Sequence, residues 1–350
     1  MLTGAVAAAF AKQADFCRRF AAPFTARTCE AAAVALDEGS AMGRRVQAWP
    51  GEAFADALMM RVTGGFHWLV RAGEAPELAP LYPPAVLPEV GALAAAINAL
   101  LADRARDAFL AAWLDSPPQT NEVARSGVLY PGMMAIAAAT GLPLRLFELG
   151  ASAGLNLNMD RFGYRLGDLA AGEPGSPVAI APQWTGPAPP VADVRVTARA
   201  GVDINPLDIT DPATAARLLA FVWPDQPERL ARAEAAIAIA AAHPPALARE
   251  DAAAWVERNV ALAPGSVAVV YHSIAAQYFP AETRARIAAH MATTGAAASA
   301  AAPLAWLRYE MDDPAVAELP TLRLTLWAGG APDEPLLARA HPHGTFVQWQ

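Results

Sequence analysis

The residues best suited to chemistry sit in one run, LRLFELGASAGLNLNMD, from Leu144 to Asp160. Gly150, Ser152 and Gly154 spell G-x-S-x-G, the pattern that presents a serine nucleophile on a sharp strand-to-helix turn in hydrolases. The same run places an acid, Glu148, ahead of Gly-x-x-x-Gly at the close of an apolar strand. That is the pattern of a loop that cradles a nucleotide-type cofactor. In the first reading Ser152 attacks a carbonyl. In the second it is a small residue beneath a cofactor.

Either chemistry needs elements to hold it. Residues 1 to about 115 place apolar side chains at i, i+3, i+4 and i+7, as in FADALMMRVTGGFHWLVRAG, with Pro-rich breaks between helical hairpins. No alternation of strand type occurs before residue 143. After it, short apolar runs at 144–149, 194–204, 246–249, 266–272, 303–311, 322–328 and 345–349 alternate with helix candidates at 155–161, 212–222, 227–242, 252–260 and 281–292. Asp211-Pro212 marks a helix start. The pattern predicts an all-helical N-terminal cap over 1–125. An α/β core follows over 126–350, a Rossmann-like, mostly parallel seven-stranded sheet covered on both faces. The last two runs, with no clear helix between them, are expected to close that sheet antiparallel. An insert at about 158–192 reads as a hairpin plus loop that would cover the site.

The hydrolase reading has its chain order, since Asp333 and His341 or His343 follow Ser152. Against it, Glu148 would lie inside the strand before the elbow, no HGG-type oxyanion segment precedes it, and 140 helical residues stand where earlier strands should be. The cofactor reading uses Glu148. Gly150 and Gly154 would let the main chain approach a ligand, and the following helix N-terminus favours a carboxylate or phosphate. Asp203, ending the next strand, could accept both hydroxyls of a ribose. Asp251 with the backbone N–H of Ala252 could read an adenine edge after a third strand. His272 and Ser273 end a fourth. Acid, acid, Asp-Ala and a polar pair, in that order, resemble the class I S-adenosylmethionine-dependent methyltransferase fold. Ser152 departs from it, standing where that fold usually has a third glycine.

The segments QTNEVARS, GLPLRLFELGASAGLNLNMDRFGYRLGD, AGVDINPLDITDP, VVYHS and HPHGTFVQW also resemble a bacterial family known only as a domain of unknown function, number two-three-three-two. The resemblance runs over most of the chain and implies a methyltransferase-like core with no substrate attached. Within TNEVARS, Asn121 and Glu122 could close over the cofactor, with Ser273 nearby, and Arg125 could pair with the methionine carboxylate; a capped helix start with an exposed arginine is the alternative. His272 is a candidate general base or a hydrogen-bonded spacer. His341 and His343 lack a third ligand at metal spacing and read as a turn, so no metal is expected. His67 reads as packing.

Composition narrows the partners. The chain is 350 residues, 55% hydrophobic and 17% charged, with a formal net charge of −8. That disfavours a broad nucleic-acid footprint, and no NPPY-type segment ends the fourth strand. Lys12 is the single lysine, which excludes Walker A and Schiff-base chemistry. Cys17 and Cys29 cannot build a disulfide framework or a cysteine zinc site. Lys12 and Asp15 interrupt the N-terminal apolar run, so no signal peptide is expected, and the Ala-rich run at 293–307 is too short and too weakly apolar to span a bilayer. The expectation is a cytoplasmic methyltransferase using S-adenosylmethionine on a small molecule or a protein side chain. A serine hydrolase built on Ser152 and a non-catalytic binding protein are the rivals. Oligomeric state is not encoded legibly.

Overall fold

Apolar residues at helical spacing become helices: α1 (Gly4–Arg19), α2 (Pro23–Ala35), α3 (Ala41–Gln47), α4 (Leu58–Arg71), α5 (Val90–Leu101), α6 (Arg104–Trp113), α7 (Ser126–Thr140), α8 (Pro212–Ala220), α9 (Pro227–Ala242), α10 (Ala252–Asn259) and α11 (Ala281–Ala296). The computed structural model describes residues 1–311 and 319–350. Contacts divide the chain into two units, 1–120 with 211–231, and 121–210 with 232–350.

The first unit is built from helices around a core that includes Phe10, Phe24, Met42, Leu58, Phe66 and Ile97. Cys17 and Cys29 are fully buried free thiols in that core. Carboxylates distant in sequence bond two helix starts, alone at α2, where Ala22 cannot cap, and beside the Ser40 cap at α3. Asp225 accepts from Phe24 N at 2.6 Å and Thr25 N at 2.8 Å, where Ala22 precedes α2. Asp107 accepts from Ala41 N and Met42 N at the start of α3. Asp211 caps α8 through Ala213 N and Thr214 N, as the Asp-Pro pair predicts. His67 is buried, with Nδ1 on the Ala220 carbonyl, and burial lowers its pKa to about 4.

The second unit holds β1 (Leu144–Leu149), β2 (Gly163–Leu166), β3 (Leu169–Gly172), β4 (Ala179–Ile180), β5 (Gln183–Thr185), β6 (Val196–Asp203), β7 (Ala246–Arg249), β8 (Val267–Ser273), β9 (Leu304–Glu310), β10 (Thr321–Trp327), β11 (Leu336–Ala340) and β12 (Phe346–Trp349). Nine strands form one mixed sheet in the order β5-β12-β11-β10-β9-β8-β1-β6-β7. The stretch β9-β8-β1-β6-β7 is parallel throughout. From β1 the chain runs outward through β6 to β7, then returns to β8 on the other side of β1. β1 and β8 therefore flank a point where strand order reverses, and a crevice is favoured there at the carboxyl ends. Both strands are buried, which is why LRLFEL and VAVVYH read as near-continuous apolar runs.

The expected seven-stranded sheet is thus a nine-stranded mixed one. Two strands were not legible. β11 (LLARA) has weak strand propensity and forms because β10 and β12 pair with it on both sides. It lies between β10 and β12, and the sheet closes antiparallel, as expected, through the β9–β10, β10–β11 and β11–β12 pairs. β5 is three residues of the Pro-rich insert, recruited in parallel by β12. The rest of the insert contains the expected hairpin, β2–β3, with β4 added beside β2 in a separate three-stranded sheet. Among the described residues no helix is long and apolar enough to cross a membrane.

Candidate functional site

The turn after β1 is left-handed at three alternate residues: Gly150 (φ 69°), Ser152 (φ 52°) and Gly154 (φ 67°). Glycine adopts this region without penalty, whereas a serine there costs about 1–2 kcal/mol and needs support. Support comes from both sides, since Ser152 N donates to Asp203 Oδ2 at 2.8 Å and Ser152 O accepts from Leu207 N at 3.1 Å. The glycines permit close packing. A Cβ at Gly150 would lie 2.7 Å from Ala275 Cβ, and one at Gly154 would lie 2.8 Å from Pro245 Cγ. The groups that approach these two glycines are therefore protein side chains. A cleft of about 280 Å³ opens beside the turn, lined by Ala153, Leu207, Asp208, Thr210, Pro245 and Leu247.

The three carboxylates singled out in the sequence behave differently. Glu148 is 2% exposed, and the Tyr271 hydroxyl donates to its Oε2 at 3.2 Å. Burial lifts its pKa to about 8, helped by the charge of Asp203 and opposed by Tyr271 and Arg125. It is therefore largely protonated at neutral pH. Asp203 holds Ser152 N on one oxygen and Asn205 N on the other, each at 2.8 Å. Asp251 is the N-cap of α10, accepting from Ala253 N and Ala254 N, and takes the Thr283 hydroxyl on its second oxygen at 2.7 Å. Burial pushes its pKa up, but these hydrogen bonds and the Arg286 charge outweigh that and leave it below the usual value. Ala252 opens α10 and is buried.

At the ends of β8 and β9 the side chains interlock. Trp306 Nε1 can only donate, and it donates to His272 Nε2 at 3.2 Å, so the ring proton sits on Nδ1 and goes to Glu310 Oε1 at 2.6 Å. Both ring nitrogens are engaged in this arrangement. The same Glu310 oxygen accepts from Ala275 N at 2.9 Å and Ala276 N at 3.2 Å. Just before them Ile274 is left-handed at φ 50°, a strained position for a β-branched residue. Glu310, Tyr271 and Ile274 carried no sequence signal, because each acquires its role from a neighbouring strand or loop.

The segment Asn121–Arg125 meets the turn after β1. Asn121 Oδ1 accepts from Leu155 N at 2.8 Å, and Glu122 O accepts from Asn156 Nδ2 at 3.2 Å. Arg125 donates to the Ser273 and Pro342 carbonyls. His341 and His343 form a turn, with His343 N on His341 Nδ1 at 3.1 Å. No group of three or more His, Cys, Asp or Glu among the described residues is placed to hold a metal ion. Ser152 Oγ and Asn156 Oδ1 are buried without a hydrogen-bond partner among the described residues.

The segments that meet at this edge include Asn121–Arg125, the turn after β1, the end of β8 and the His341–Gly344 turn. A family model described as an uncharacterised protein conserved in bacteria, DUF2332, matches residues 7–349 and so spans every one of them. The chain belongs to the DUF2332 family. No curated protein and no solved structure matches it. The DUF2332 match therefore brings no activity with it, and function has to be argued from the site.

Proposed function

We propose that this DUF2332 chain is an S-adenosylmethionine-dependent methyltransferase acting on a small molecule or a protein side chain. Glu148, the Gly150–Gly154 turn, Asp203, Asp251 and Ala252 would hold the cofactor at the carboxyl edge of the parallel strands. One observation carries the reading: Ser152 takes the left-handed conformation of the glycines around it, directly after the first strand and at the reversal of strand order. A serine so held stands in for the third glycine of a cofactor turn. Its Oγ makes no hydrogen bond, so the histidine partner that a hydrolase requires is not supplied by the described residues. Large apolar side chains also stand exposed on the loops after β6 and β8, Ile204 at 82% and Tyr278 at 78%, as a flat ligand needs.

The cofactor would supply a methyl group on a sulfonium, whose in-line transfer needs positioning and exclusion of water more than a proton shuttle. Glu148, protonated, acts as a hydrogen-bond donor in place of a fixed charge. Asp203 acts first on the turn, fixing Ser152. A second reading, a non-catalytic binding protein on this fold, draws on the filled space beside Gly150 and on the backbone bonds that Asp203 and Asp251 already make.

Calorimetric titration with S-adenosylmethionine and S-adenosylhomocysteine tests the choice. Micromolar binding that is weakened in Asp203→Ala and retained in Ser152→Ala is the expected result. No binding by folded, ligand-free protein would sink the methyltransferase reading and bring the second forward.

A further inference from the structure

Among the described residues Arg125 makes no ion pair. Its Nε donates to Pro342 O at 3.0 Å and its Nη1 to Ser273 O at 2.9 Å, and no carboxylate among the described residues lies within ion-pair distance. Carbonyl dipoles orient a guanidinium without cancelling its charge, and burial pulls its pKa below the ordinary arginine value. Among the described residues the carboxylates that face it are Glu122 and Glu310. Each has an oxygen held elsewhere, Glu122 Oε1 by Ala124 N and Glu310 Oε1 by His272, Ala275 N and Ala276 N. The remaining neighbours are Tyr309, whose hydroxyl donates to His341 O, and the exposed Tyr278.

Segments from distant parts of the sequence place this cation. The turn Val123–Arg125 is covered by the turn His341–Gly344, where Gly344 is left-handed and a Cβ would come 2.3 Å from Ala124 O. Only glycine lets the two turns meet, and the contact brings Pro342 O onto Arg125. The guanidinium is thereby fixed at the carboxyl end of β8, beside strained Ile274 and next to the loop that touches Gly150.

We propose that Arg125 binds the carboxylate of a ligand seated at the β1/β8 crevice. On the methyltransferase reading, on which this inference rests, that carboxylate is the methionine end of S-adenosylmethionine. The planar fork of a guanidinium matches a carboxylate. A singly charged group suits the place better than a phosphate, because Glu122 and Glu310 form a negative background that a dianion would oppose.

The test titrates the full chain, and its Arg125→Gln and Arg125→Lys variants, with two probes. S-adenosylhomocysteine carries the carboxylate and 5′-methylthioadenosine lacks it. Arg125→Gln should weaken the first by about tenfold or more and the second by less than about twofold, with Arg125→Lys between. Equal weakening of both probes would reduce Arg125 to a holder of the turns, and no weakening would remove its role; either overturns the inference alone. Failure of the unmodified chain to bind either probe removes the methyltransferase reading and this inference together. If Arg125→Gln does not fold, the charge-retaining lysine variant carries the same comparison, with a selective loss of a few-fold expected for S-adenosylhomocysteine.

Discussion

At Glu148 a carboxyl lies inside a buried strand paired on both sides, where burial, against the opposing hydrogen bond from Tyr271, leaves it protonated up to about pH 8. Its folded pKa is raised above the unfolded one, so its contribution to stability is fully present below about pH 4.5 and is lost as pH rises through about 8. Chemical denaturation at pH 5 and pH 8 should show the unmodified chain losing stability across that window, with Glu148→Gln losing less. The difference should reach roughly 3–5 kcal/mol at most; parallel pH profiles for the two proteins would contradict the assignment. Ser152 yields a second expectation. Ser152→Gly removes a left-handed penalty and should raise stability by about 0.5–1 kcal/mol, whereas Ser152→Val should lower it by more. A less stable glycine variant would mean that the Ser152 hydroxyl has a partner in solution. A tight glycine turn was legible at Gly150 and Gly154, and position 152 was legible only as a departure. That Ser152 follows the glycines could not be read locally, since the Asp203 and Leu207 contacts that hold it come from across the fold.

At the scale of elements, hydrophobic period found the helices and most strands, because periods of 3.6 and 2 are properties of the local chain. β11 and β5 were missed for one reason: each is short, with weak propensity, and becomes a strand only by pairing with β10 or β12. Helix caps show the same divide. Asp211 caps α8 from the adjacent position, but α2 is capped by Asp225, some 200 residues away. Asp225→Ala should cost about 1–2 kcal/mol in urea denaturation, with Asp225→Asn recovering part. An unchanged midpoint would show that water replaces the cap. Glu310→Gln should release the Ala275–Ala276 loop, seen as faster hydrogen exchange at those amides with β8 still protected.

For the whole molecule, a ligand that binds only the folded chain must stabilise it, by about 2.7 kcal/mol at a hundredfold excess over its Kd. S-adenosylhomocysteine should therefore raise the unfolding temperature in a concentration-dependent way, and an unresponsive midpoint would count against the proposed function. What the sequence determined alone is the succession of helices and strands and the acidic, glycine-rich turn after the first strand. These follow from residue type and spacing within a few turns of chain. Only the tertiary structure decided how those parts are used: that Ala275 and Pro245 fill the space beside the glycines, and that Asp203 and Asp251 bond backbone amides. It also decided that His272 is held between Trp306 and Glu310, and that Arg125 is held by two backbone carbonyls with no ion pair among the described residues. Apart from Asp251, which caps its own helix from the adjacent position, each of these is set by atoms 34 to 217 residues apart, and no local pattern encodes the distance between them.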